Sequence, residues 1–151
     1  MSETANIVDQ LKRAFEGNAW HGPALNELLA GVSAEQAAAR PLSRAHTIWE
    51  IVRHVNHWER VVCKRLKGER VDQPEEGDWA EVGDAGPAAW QTTLANLREA
   101  QEALVQQASA LPDARLQETA VGTDYSVYFM LHGIIQHNLY HGGQIALLKQ
   151  A

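Results

Sequence analysis

From Tyr125 to Lys149 the chain keeps one helical stripe: Met130, Ile134, His137, His141, Ile145 and Leu148 recur with a 3.6-residue period. Tyr125–Ile135 is rich in strand formers, yet the period carries through it into His141 and Leu148. No segment elsewhere alternates apolar and polar residues as a half-buried strand must. A chain of this kind buries its apolar surface by packing helix on helix.

Breakers divide the rest into helices. Ser2 or Thr4 caps a first helix bearing Ile7, Val8, Leu11 and Phe15, and Gly17-Asn18 ends it. Pro23 suits the first turn of a short helix, Ala24 to Ala30, stopped by Gly31. Ser33 and Gln36 form a capping box for an Ala-rich turn that ends before Pro41. A long helix runs from about Thr47 to Lys67 and closes at Gly68. Residues 69–86 are a polar loop with one large apolar anchor, Trp79. Pro87 opens a helix with Trp90, Leu94, Leu97, Leu104 and Leu111, broken at Pro112-Asp113. Four main helices without a dividing linker predict an all-α bundle, residues 1–151 forming one domain.

Thirteen basic against 19 acidic residues give a net charge of −6 and no Lys/Arg patch, which speaks against nucleic-acid binding. No apolar run reaches membrane-spanning or signal-peptide length, so a cytoplasmic protein is expected. Cys63 stands alone and reads as a small buried hydrophobe on a helix.

The seven histidines carry the chemistry. At ~100° per residue, His137 and His141 lie on one helix face, while His132 falls ~180° from His141 and is expected at the surface. An H-x-x-x-H pair is open to two readings: ligands of a divalent ion, or two hydrogen-bonded histidines without one. Asn138 occupies the position where the metalloprotease helix has its glutamate. A third ligand must come from elsewhere. His54 lies beside Ile51 and Trp58 at the margin of the apolar stripe of helix 47–67, whereas His57 falls ~160° from its centre and is expected to face solvent. His46 belongs to the turn leading into that helix, and His21 to a loop.

The segments TIWEIVRHVNHWE and HNLYHGGQI, with LNELLAGVSAEQAAARPL before them and a tryptophan-bearing loop between, resemble the DinB/YfiT-like superfamily over nearly the whole chain. The resemblance implies an up-down-down-up four-helix bundle in which His54, His137 and His141 hold a divalent metal such as Zn, Ni or Fe. Gly142 stands where many members have an arginine, so no anion-binding role is carried to that position. The resemblance also implies a homodimer and a small-molecule substrate. The expected activity is metal-dependent hydrolysis, or transfer or isomerisation with a low-molecular-weight thiol; the alternative is a non-catalytic, stress-related bundle that binds metal or a small ligand.

Three neutral ligands leave an ion its full charge and an open position, the pattern of catalytic rather than structural zinc sites. A partner group is harder to identify. Glu59 falls within ~20° of the core stripe, which allows either a buried carboxyl orienting a ligand imidazole or a partly exposed, ion-paired one. Asn138 and Gln144 also lie near the ligand face.

Overall fold

Each expected helix is present, and its ends fall at residues that stop helices. The computed structural model describes residues 2–151. The helices are α1 (Glu3–Phe15), α2 (Leu25–Leu29), α3 (Ala34–Ala38), α4 (Ile48–Leu66), α5 (Pro87–Ser109) and α6 (Val127–Leu148), with a 3₁₀ turn at Asp113–Gln117. Among the described residues there is no strand, only two isolated bridges.

Local chemistry fixes the boundaries. Ser2, Ser33, Thr47 and Ser126 each accept a backbone N–H of the first turn they precede. At α4 the bond is reciprocal, since the Glu50 carboxylate accepts the Thr47 N–H at 2.7 Å. The capping box expected at Ser33 is half made: Ser33 accepts from Gln36 N–H, and the return bond is absent. Pro23 stands two residues before α2, just outside its N-cap Ala24, rather than in its first turn. Gly68, at φ +92°, terminates α4 in the left-handed conformation that glycine tolerates best.

The long helices pack on one another, with α4 in closest association with α5 and α6. Trp49 Nε1–H donates to Thr93 Oγ1 near the start of both α4 and α5, and Arg60 pairs with Glu99 farther along both. On α6 the order is reversed: His54 meets His137, whereas Arg65 donates to Tyr125 Oη. The Asp113 carboxylate accepts the free N–H groups of Glu3 and Thr4 at 2.9 Å, tying the start of α1 to the 3₁₀ turn that follows α5.

The core has two parts. One gathers Leu11, Val62, Leu104, Leu131 and their neighbours; the other gathers Trp49, Val52, Trp90, Leu97 and Ile145. Along α4 the change from one to the other comes between Val55 and Trp58, and along α6 between Leu139 and Ile145. His54, His137 and His141 lie at this junction.

Two surface expectations are corrected. His57 is 7% exposed rather than solvent-facing. Residues of the 69–86 loop, among them Pro74, Glu75 and Glu76, pack over that side of α4. Fourteen of the 19 residues of α4 are buried; the half-buried Glu50, Arg53, Arg60 and Lys64 share one face, and His57 lies on that face under the loop. His132 is half-buried, its ring 4.4 Å from that of Tyr128.

Candidate metal centre

His54 comes from the middle of α4, and His137 and His141 from successive turns of α6. One nitrogen from each ring lies within 4.8 Å of the other two. Nε2 of His54 faces Nε2 of His137 at 2.9 Å. The rings are not parallel: His141 stands nearly edge-on to both, at interplanar angles of 77° and 78°. Three lone pairs meeting from different directions suit a tetrahedral cation better than mutual stacking does.

The opposite ring nitrogens decide which one is free. His54 Nδ1–H donates to the Asp78 carbonyl at 2.7 Å, and His141 Nδ1–H donates to Gln144 Oε1 at 2.6 Å. Each bond keeps the proton on Nδ1 and leaves Nε2 bare, as imidazole ligands of metals require. His137 Nδ1 is buried without a partner. Burial lowers the proton affinity of all three rings, taking His137 to about 4, so they are neutral near pH 7. These donors fit a divalent ion of the Zn, Ni or Fe class.

The 69–86 loop closes one side. Trp79 lies flat between two imidazoles, 3.9 Å from His54 and 3.5 Å from His46, both nearly parallel to it. Arg53 donates to the Glu81 carbonyl, and Trp58 Nε1–H donates to the Asp78 carboxylate at 2.8 Å. The loop thus presents an orienting carbonyl and a flat apolar wall together. Sequence reading marked Trp79 as an anchor without showing what it rests on. The Asp78 carbonyl has no sequence signal, because every residue has one. His46 reaches the site as a stacking partner of Trp79, and its Nδ1 lies 3.3 Å from the Glu50 carboxylate. His21 is exposed and outside the cluster.

Glu59 follows neither sequence expectation. It is fully buried, with no ion pair and no bond to an imidazole among the described residues. Its Oε1 accepts Asn138 Nδ2–H at 2.7 Å, and its Oε2 is unpartnered. Burial pushes its pKa up to about 8, so the carboxyl is protonated at neutral pH. Its tie to Asn138 fixes α4 against α6 one residue from His137.

The family model described as the DinB superfamily matches residues 19–145, from the turn before α2 to nearly the end of α6. No curated protein and no solved structure matches the chain.

Proposed function

Since the chain belongs to the DinB superfamily, we propose that it is a metal-dependent enzyme holding one divalent ion on His54, His137 and His141. The observation that carries this reading is the convergence of three neutral imidazole nitrogens with the two outer protons parked on Asp78 and Gln144. No fourth histidine, cysteine or carboxylate joins that group among the described residues, which leaves a coordination position for a reactant. When bound, such an ion acidifies a coordinated water or thiol and polarises a carbonyl, the needs of a hydrolase or a low-molecular-weight-thiol transferase.

The protein's own groups have defined parts in this reading. Asp78 and Gln144 hold the rings in one tautomer. Trp79 shields the His54 side from water, and Glu59 with Asn138 keeps the two ligand-bearing helices in register. The same reading takes the long helices as an up-down-down-up bundle, supported by the parallel order of the α4–α5 contacts and the reversed order of those between α4 and α6.

The test is calorimetric titration of untagged protein with zinc, nickel and ferrous iron, alongside H54A, H137A and H141A. One ion per chain in the parent and none in the variants is expected. Unchanged stoichiometry in H54A would overturn the ligand set. Loaded protein is then assayed with amides and esters, and with thiols plus an electrophile. Metal-dependent turnover in either assay supports the enzyme; binding without turnover returns a metal-holding protein.

A further inference from the structure

Along the seam between α4 and α6, next to the three histidines, runs a groove of about 180 Å³. For comparison, an apolar cavity of ~150 Å³ takes up benzene. Trp58, Val62, Phe129 and Ile134 line it; His137 borders it toward the candidate metal centre, and Arg65 with Tyr125 toward the far end. Arg65 lies 11 residues beyond His54 on the same helix, about 16 Å along its axis at ~1.5 Å per residue.

Arg65 is the unusual member. It is 8% exposed, and its partners are all neutral: the Val71 carbonyl, the Asp72 carbonyl and Tyr125 Oη. Those bonds use three of its five N–H groups. No carboxylate lies within ion-pairing distance among the described residues. A buried cation without an anion is costly, and here it borders an apolar channel.

Gly133 is a second, separate sign. It lines the groove from the interior of α6, where glycine weakens a helix relative to alanine. Neither its backbone nor its surroundings demand glycine: its φ is not positive, and an added Cβ would meet nothing within 4 Å. What a side chain there would fill is the groove.

We propose that the groove binds an elongated small molecule, apolar along its length, with a carboxylate that pairs with Arg65 and its other end directed at His137. The proposal extends the reading of the metal centre by giving its substrate a chemical class. Apolar walls take the chain or ring, the guanidinium takes the acid, and the missing side chain at position 133 leaves the path open.

The probes are 4-phenylbutyrate and its neutral amide, titrated calorimetrically into metal-free and zinc-loaded protein. The parent is expected to bind the acid about tenfold or more tightly than the amide, the usual effect of a charge-assisted bond. In R65Q the preference falls to about onefold, with the amide's affinity unchanged. In G133L both affinities drop by about tenfold or more while Tm stays at or above the parent value, because leucine favours the helix. Equal affinity for acid and amide in the parent, or undiminished binding in G133L, would overturn the proposal. Since the titration is also run without metal, failure of the metal centre and failure of the groove are read separately.

Discussion

Nε2 of His54 and Nε2 of His137 face each other at 2.9 Å across the seam of α4 and α6, although 83 positions separate them in the chain. Packing of two helices creates that approach, and everything expected of the site depends on how firmly each ring is held.

Gln144 holds His141 by accepting its Nδ1 proton at 2.6 Å. Gln144→Leu is therefore expected to leave one zinc per chain but weaken it about 10- to 100-fold, the usual cost of losing such an orienting partner. Competition with a chromogenic chelator measures this. An unchanged affinity would show that His141 needs no help in facing the ion.

Trp79 joins the 69–86 loop to the site through its two stacked imidazoles. In Trp79→Ala the loop loses that anchor and His54 loses a wall. Limited proteolysis should cut faster within residues 69–86, and zinc affinity should fall about tenfold. Cleavage at the parental rate would mean that the Arg53 and Trp58 bonds alone dock the loop.

Glu59 makes stability depend on pH in an unusual direction. Folded, it keeps its proton up to about pH 8; unfolded, it releases it above its ordinary value of 4.5. The folded state thus binds the extra proton between these values, and Glu59's contribution to stability declines as pH rises through that window. The isosteric Glu59→Gln removes this cost. It should match the parent near pH 4 and exceed it by about 3 kcal/mol at pH 7, at roughly 1.4 kcal/mol per pH unit. Urea unfolding of both proteins at several pH values tests this; parallel curves would mean that Glu59 ionises normally.

Cys63 is buried, and burial together with the nearby Glu59 carboxyl pushes its thiol up to about 11. Relative to an ordinary thiol its thiolate is about 100-fold scarcer at neutral pH, before access is considered. Alkylation followed by mass spectrometry should find it unmodified in folded protein and fully modified in denaturant. Rapid labelling of the folded chain would place it at a reactive surface.

Helix positions were legible in the sequence because breakers and caps are local: Ser2, Thr47, Gly68 and Pro87 act within a few residues of where they stand. The clustering of three histidines was legible for a similar reason, since His137 and His141 share a face by spacing alone, and the family pattern singled out His54 with them. Surface assignments failed where a neighbour came from far along the chain. His57 is buried by the 69–86 loop, which no periodicity within α4 reports, whereas Glu59 is buried as its phase near the core stripe allowed but bonds Asn138 of α6 rather than an imidazole. The Asp78 carbonyl and the Trp79 stack were hidden for the same reason: they belong to a loop whose path depends on contacts with Arg53 and Trp58.

The covering of His57 by the 69–86 loop has a consequence for mutational tolerance along α4. A helix with one wet face shows sensitivity that rises and falls every three to four residues. Residues 48–66 should keep that rhythm at Glu50, Arg53, Arg60 and Lys64 but lose it at His57, which shares their face: substitutions at His57, Asn56 or Arg65 should be selected against as strongly as those at Val52 or Val55. The freedom of this chain to vary then lies in α1, α5, the loop tips and the few charged positions on the outer face of α4, with His57 held fixed among them by the loop.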